Sequence, residues 1–393
     1  MAIKKKPEVS QANEEAASDK LAASPYDDFT SDLINSLNKE HGSMLAYNLA
    51  TDASPTHVKR WISTGSTYLD YIIANRRDGG LPEGRIIEIF GPPSTGKSHI
   101  AAQIAKTTQQ MGGIIVYIDT ETATSPENLA MLGVDVSKRF IYVNTHCTEE
   151  VFKVIESTIH KAKQKAKDVP ITIIWDSVAA TSPKAELDGE YDKDTIGLQA
   201  RTISKGMRKI TGVIGDNDVT LVCLNQTRTK VGVTYGDPTT TPGGMAIPFH
   251  ASVRLKISTG VQVKDPKTGD VIGIEIDVTT MKNKVAPPNR KASFQIHFGV
   301  GIVEHELLFD ACREFCDTNK VKVNGHQIVL EGMGAWKSLL VSDSDGVVLV
   351  DRKFHKADFL KIMNDPECKP YILELFDAAF IRKKRTVEES DKK

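Results

Sequence analysis

Residues 91–98 read Gly91-Pro92-Pro93-Ser94-Thr95-Gly96-Lys97-Ser98, with glycine, lysine and hydroxyl at the spacing of a phosphate-cradling loop, G-x-x-x-x-G-K-[ST]. The glycines let backbone N–H groups turn toward phosphate oxygens. Lys97 sets a cation against the outer phosphates, and the Ser98 hydroxyl is a ligand type that suits Mg²⁺. That chemistry is the binding of a nucleotide's phosphate chain. Hydrolysis needs more: a carboxylate for the metal and a group to activate water. The apolar run 171–175 delivers Asp176 and Ser177 at its end. An Asp at the tip of a buried strand suits a Walker B aspartate, which orients Mg²⁺ directly or through water. The same two residues also suit a helix N-cap. Asp119-Thr120-Glu121 follows a second apolar run, and by position alone either carboxylate can take a proton from the attacking water. Asn225-Gln226 ends a third. A neutral amide there can bond a γ-phosphate and lose that bond on hydrolysis. Ordinary loop capping is the alternative for both segments.

These residues need a scaffold that brings strand tips together. Ile86, Ile87, Ile89 and Phe90 predict a buried strand before the phosphate loop, and Ile100, Ile104, Ala105, Thr108 and Met111 predict a helix after it. That helix would start at the loop and aim its positive end at the phosphates. Further strands are expected at 114–118, 171–175 and 219–224, with helices at 149–165 and 198–214. Strands alternating with helices predict an α/β fold, a mainly parallel sheet covered on both faces. Segments 252–257, 271–281 and 292–298 read as strands without helices between them, an antiparallel extension of that sheet. A composition shift at 299–301 marks a boundary. Beyond it, 321–323 and 327–330 flank Asn324-Gly325, a hairpin signal, and helices are expected at 356–363 and 371–380. The organisation is therefore an arm and helix over 1–60, a core over 61–300 and a small α+β domain over 301–393. Within the first part, residues 1–27 read as a disordered polar arm, and Leu33, Ile34, Leu37, Met44, Leu45 and Leu49 as one amphipathic helix, broken near Gly42.

Composition narrows the function. The chain has 393 residues, 40% of them apolar and 26% charged, with a formal net charge of −1, so a nucleic-acid site must be a local patch rather than a global field. Its five cysteines form no CxxC pair and read as reduced thiols of a cytoplasmic protein; Cys312 and Cys316 read as core packing. Lys4-Lys5-Lys6 is followed by Pro7 and polar residues, which does not read as a secretory signal. No apolar run reaches the ~18 residues a spanning helix needs, so no membrane partner is expected.

Two loops call for explanation. Residues 227–246 hold four glycines, two prolines and no helical period. Structureless loops longer than ~15 residues are usually functional or disordered. Arg228 and Lys230 supply charge, and glycines such as Gly243 and Gly244 permit close approach to a phosphate chain. The second loop, 188–197, precedes a helix whose Arg201, Lys205 and Arg208 share one face.

In order and spacing, the segments 63–66, 91–98, 176–180, 183–186, 207–209, 225–226, 240–244, 251–255 and 282–284 resemble the bacterial and phage RecA-type recombinases. The resemblance is close over residues 60–305. It implies a P-loop ATPase core that takes ATP and Mg²⁺, assembles into a homo-oligomeric helical filament on single-stranded DNA, and pairs it with double-stranded DNA. It places Lys97, Ser98 and Asp176 on the phosphates and metal, Glu121 at the catalytic base and Gln226 at the γ-phosphate sensor. It implies DNA contact for both loops and for Arg201 and Arg208, a reach across the subunit interface for Lys282 and Lys284, and an interface role for Phe249. The chain also departs from the family: Ser125 and Asn128 stand where it carries Asp and Tyr near the base, Pro242 replaces a threonine, and the tail from Arg382 lacks the acidic run.

Overall fold

Isoleucine and valine crowd the segments that become the central sheet, because β-branched side chains fit a pleated surface buried on both faces. The computed structural model describes residues 26–52, 54, 56–165, 168–190, 197–229, 239–318, 321–332 and 334–382. Its contacts divide the chain into two units, 1–57 and 58–393. In the first, helix α1 (Tyr26–His41) ends where Gly42 takes a φ of +64°. The Asn38 side chain then holds the following segment, accepting from Leu45 N at 2.7 Å and Ala46 N at 2.9 Å. The helix therefore ends at the break expected near Gly42 and does not resume, so Met44, Leu45 and Leu49 lie beyond it. Of the arm expected over residues 1–27, residues 1–25 lie outside the described residues, and Tyr26 and Asp27 already belong to α1.

The second unit opens with β1 (Trp61–Ile62), α2 (Thr67–Ala74) and β2 (Leu81–Pro82). The α/β succession follows: β3 (Ile86–Gly91), α3 (Lys97–Gln110), β4 (Ile114–Asp119), α4 (Pro126–Met131), β5 (Phe140–Asn144), α5 (Thr148–Lys165) and β6 (Ile171–Asp176). Next come α6 (Lys184–Leu187), α7 (Leu198–Asp216), β7 (Val219–Gln226), the short β8 (Arg228–Thr229) and β9 (Thr239–Thr240), and α8 (Ala246–His250). Four strands close the core: β10 (Val253–Lys264), β11 (Val271–Asn283), β12 (Lys291–His297) and β13 (Gly301–Val303). The main sheet has nine strands in the order β13-β12-β11-β10-β3-β7-β6-β4-β5. Strands β10 through β5 in that order run parallel, and β11, β12 and β13 add antiparallel pairings, as expected from the sequence.

Helix α3 lies in one apolar layer with Ile87, Ile89, Val222 and Leu224, while α5 and α7 build the other with Ile173, Trp175 and Leu221. On α7, Ile203, Met207, Ile210 and Ile214 are buried at helical spacing, so the basic residues fall on the opposite, exposed side. Gly206 lets α5 come close: a Cβ there would stand 2.4 Å from the Phe152 ring.

Residues beyond the core fold onto its end. Helix α9 (His305–Thr318) leads into an antiparallel sheet of β14 (Val321–Val323), β15 (His326–Glu331), β16 (Trp336–Ser342) and β17 (Val348–His355), followed by α10 (Phe359–Asn364) and α11 (Lys369–Phe380). Phe309, Phe354, Phe359 and Phe376 form the centre of its core, which Tyr71 of α2 also enters. The buried Arg290 joins the two parts, donating to Tyr71 O at 3.2 Å, to Asn75 Oδ1 at 3.0 Å and to the Phe380 carbonyl. Eight strands escape the sequence reading: the short β1, β2, β8, β9 and β13, of two or three residues each, and β5, β16 and β17, whose exposed positions carry Ile141, Tyr142, Trp336, Val348 and Leu349 and hide the alternation.

Candidate functional site

Parallel strands end on one edge, and the register brings their chemistry together there. Gly91 of β3 lies beside Gln226 of β7, and Asp119 of β4 beside Asp176 of β6. The phosphate loop leaves β3 with Ser94 at φ +58° and Gly96 at φ +85°. A Cβ on Gly96 would stand 2.4 Å from Ile296 Cδ1, and one on Gly91 2.5 Å from the Ile257 carbonyl oxygen, so both positions require glycine. Thr95 is buried and donates to Pro92 O at 2.9 Å, which fixes the loop's curl. Lys97, in the first turn of α3, donates to Pro92 O at 2.6 Å and Gly91 O at 3.2 Å. Burial holds its pKa below the usual lysine value.

Ser98 Oγ donates to Asp176 Oδ2 at 2.9 Å, and Tyr117 OH donates to the same oxygen at 2.7 Å. Burial raises the Asp176 pKa. The two hydroxyl donors oppose that rise, and the neighbouring Glu121 and Asp119 add to it. A carboxylate and a hydroxyl at this separation are hard oxygen donors of the kind Mg²⁺ takes. Among the described residues no group of three or more His, Cys, Asp or Glu side chains can hold a metal alone, so an ion here draws its other oxygens from phosphate and water.

The two carboxylates after β4 part company. Asp119 is 1% exposed and accepts from the backbone N–H of Glu121 at 3.0 Å, Thr122 at 2.8 Å and Thr124 at 2.9 Å, and from Tyr142 OH at 3.0 Å. These donors outweigh burial and lower its pKa. Asp119 is thus consumed in shaping the loop. Glu121 is exposed and reaches across β6: its Oε1 accepts from the Ser177 hydroxyl and from Gln226 Nε2 at 3.2 Å. The carboxylate that can meet water and the amide at the tip of β7 are therefore in contact. A cleft of about 440 Å³ runs from Ser98, Asp176 and Glu121 to Leu129, Leu132 and Phe298, passing Ser125 and Asn128. Its size suits a nucleotide. A second cleft of about 350 Å³ lies over Ser94–His99 and shares Ser98, His99 and Phe298 with it.

The remaining sequence candidates scatter around this edge. Arg201 and Arg208 are exposed on α7, with Arg208 Nη1 2.9 Å from Ser204 Oγ. Arg228 is exposed in β8 and pairs with Thr240 of β9. Lys230 and residues 191–196 lie outside the described residues. Gly243 and Gly244 both have positive φ, and a Cβ on them would stand 2.9 Å from Ile203 and 3.1 Å from Ala200, so this end of the long loop sits against α7. Lys282 is bound to α8, donating to Pro248 O at 2.7 Å and Phe249 O at 2.8 Å, while Lys284 is exposed and the Phe249 ring is 70% exposed. Sequence reasoning missed Tyr117, Ser177 and Phe298. The first two were visible as polar groups at strand ends beside named candidates. Phe298 carried no signal beyond its place next to Gly299.

The RecA N-terminal domain family matches residues 30–303. Curated relatives named Protein RecA align over much of the chain. That of Chlorobaculum parvum is 39% identical over 282 residues, 72% of this chain and 78% of the relative. That of Trichodesmium erythraeum is 42% identical over 264 residues, 67% of this chain and 69% of the relative. That of Borrelia hermsii is 39% identical over 278 residues, 71% and 72% of the two chains.

Proposed function

The chain belongs to the RecA family, the DNA-dependent ATPases of homologous recombination and strand exchange, and we propose that its own residues divide that work as follows. ATP lies with its phosphates in the loop 91–98 and its base in the cleft past Ser125 and Asn128. Ser98 and Asp176 would hold Mg²⁺, whose charge would offset that of the phosphate oxygens. Lys97 exchanges its loop carbonyls for phosphate oxygens. Glu121 takes the proton of the attacking water, and Gln226 reports the γ-phosphate to the loop that begins one residue later. Loops 188–197 and 227–246, with Arg201, Arg208, Arg228, Lys230, Gly243 and Gly244, hold single-stranded DNA by its phosphates. Base pairing with an incoming duplex reads the sequence. Lys282 and Lys284 act on the nucleotide of a neighbouring copy, and Phe249 packs at that interface, so hydrolysis depends on a helical filament. The protein works in the cytoplasm; among the described residues no helix is long and apolar enough to cross a membrane.

One observation supports this reading above the others: Glu121 touches both Ser177 and Gln226, over the Ser98–Asp176 pair and at the mouth of the phosphate loop. A switch and a base in contact suit a nucleotide whose hydrolysis changes DNA affinity, rather than one held as a fixed cofactor. The test is joint-molecule formation between single-stranded DNA and homologous or heterologous duplex, with ATP, with ADP and without nucleotide. Joint molecules are expected only with homology and ATP, and their absence would overturn the reading. Glu121→Gln should keep ATP and DNA binding while turnover falls by about 10²-fold or more. Turnover at the unsubstituted rate would remove Glu121 from the base role.

A further inference from the structure

Glu88 lies in the middle of β3 with its side chain 0% exposed, in the strand that feeds the phosphate loop. A carboxylate buried so fully must be paired and hydrogen-bonded. Its two oxygens go to different places. Oε2 accepts from Arg254 Nε of β10 at 2.6 Å, and Oε1 accepts from Asn225 Nδ2 of β7 at 3.1 Å. Asn225, also 0% exposed, carries the link onward from Glu88. Its Nδ2 donates to Pro242 O at 3.1 Å, near the loop's far end, and its Oδ1 accepts from Gln226 N at 3.0 Å, the last residue of β7 before the loop begins. The far end of loop 227–246 and the strand residue that precedes it are thereby tied to one buried carboxylate.

The other arm runs toward the nucleotide and the subunit interface. The Arg254 guanidinium lies 4.5 Å over the ring of Phe90, the residue before Gly91. Across the sheet Arg254 pairs directly with Lys282, and its charge helps burial and Lys284 to lower that lysine's pKa. The strand that feeds the phosphate loop, the end of β7, Pro242 of the long loop and Lys282 thus converge on a single buried ion pair. The pair is completed within the sheet by the Asn225 amide, and that amide also reaches out of the sheet to the Pro242 carbonyl of the loop.

We propose that Glu88, through Arg254 and Asn225, is the positioning group that couples the phosphate loop to the DNA-binding loop 227–246. The inference rests on the assignment of that loop to DNA. It predicts a variant that binds both ligands and no longer links them, because coupling between two sites is a free energy distinct from either affinity.

The experiment measures single-stranded DNA affinity with ATP and with ADP, and ATP turnover with and without DNA, in the full chain and in Glu88→Gln and Asn225→Ala. Gln keeps an acceptor for Asn225 and deletes the charge that faces Arg254. Ala releases Pro242 and leaves the ion pair whole, so it remains readable if the unpaired Arg254 prevents Glu88→Gln from folding. In the folded variants, the ratio of DNA affinity in ATP to that in ADP should fall by about tenfold, and the DNA stimulation of turnover should fall with it. A purely structural role would lower the melting temperature and leave both ratios unchanged, and that result would overturn the inference. If the unsubstituted chain shows no ATP-dependent DNA affinity, the DNA assignment itself fails and the inference falls with it. Loss in the variants alone supports the coupling role.

Discussion

Asp70 makes a quantitative prediction about stability and pH. It lies in the first turn of α2, 8% exposed, and accepts three hydrogen bonds: from Ser63 Oγ at 2.5 Å, Thr64 N at 2.8 Å and Thr64 Oγ1 at 2.7 Å. Those donors favour the charged form. Burial opposes them and wins, with help from Glu304, and the pKa is pushed up to about 7. The unfolded chain holds an aspartate near ~3.9. Between those values the folded state binds the extra proton, so stability falls as pH rises through this window and is flat above it. The difference is ~3 pKa units at ~1.4 kcal/mol each, so ionised Asp70 costs the fold ~4 kcal/mol at pH 8 and nothing at pH 4. Asp70→Asn removes that cost. Its carbonyl keeps both Thr64 bonds, and its amide must turn the Ser63 hydroxyl from donor to acceptor, which costs ~1 kcal/mol. The expected change is therefore a gain of ~3 kcal/mol at pH 8 and a loss of up to ~1 kcal/mol at pH 4. Thermal or urea unfolding of both proteins at the two pH values measures it, because the difference between them cancels every other titrating group. An equal gap at both pH values, or a less stable variant at pH 8, would show that the hydrogen bonds outweigh burial and would refute the reasoning.

Two further outcomes are expected. Replacing Lys282 and Lys284 together by Ala should leave nucleotide binding intact while DNA-stimulated turnover drops on the order of 10³-fold, the scale of a charge supplied across an interface; undiminished stimulation in a steady-state assay rejects their action on a neighbour. Gly206→Ala gains ~1 kcal/mol of helix propensity and loses ~1–3 kcal/mol where its Cβ meets the Phe152 ring 2.4 Å away, so the melting temperature should fall, and adding Phe152→Leu should restore it.

What the sequence revealed and what it withheld divide on physical grounds. The phosphate loop was legible because its work is done by eight consecutive residues, with glycine required at Gly96 by its positive φ and at Gly91 by the close Ile257 carbonyl. The strand tips were legible because a parallel sheet buries both faces of β3, β4, β6 and β7, leaving apolar runs that end in a polar residue. Asp119 and Glu121 could not be separated by position, since both follow the same strand. The backbone N–H groups that claim Asp119 exist only once the chain has turned at Thr122, which takes a φ of +56°. Glu88 and Arg254 stand 166 positions apart and carry no mark in the sequence beyond a charge inside an apolar strand. That mark, an ionisable residue at a position where β3 is buried throughout, was available and went unread. Lys282 looked like a free interface cation, and only the fold shows it holding the helix that presents Phe249.

Three carboxylates crowd the edge where the nucleotide would lie, and their environments keep them from doing the same job. Like charges so close cannot all remain ionised at no cost. Asp119 meets the problem with three backbone N–H donors and a phenol, which hold it charged and take its oxygens out of reach of a metal. Asp176 is buried against Tyr117 and Ser98 with a raised pKa, so its charge is under-compensated and a cation beside Ser98 answers that deficit. Glu121 is the exposed member, tied only to a hydroxyl and an amide that can both turn away. Burial and backbone donors thus give three chemically similar side chains different environments, and the proposed division of loop shape, metal and water among them follows that difference. The same logic suits an amide at the proposed sensor position. A carboxylate in place of Gln226, 3.2 Å from Glu121, would set a further acidic group against that edge.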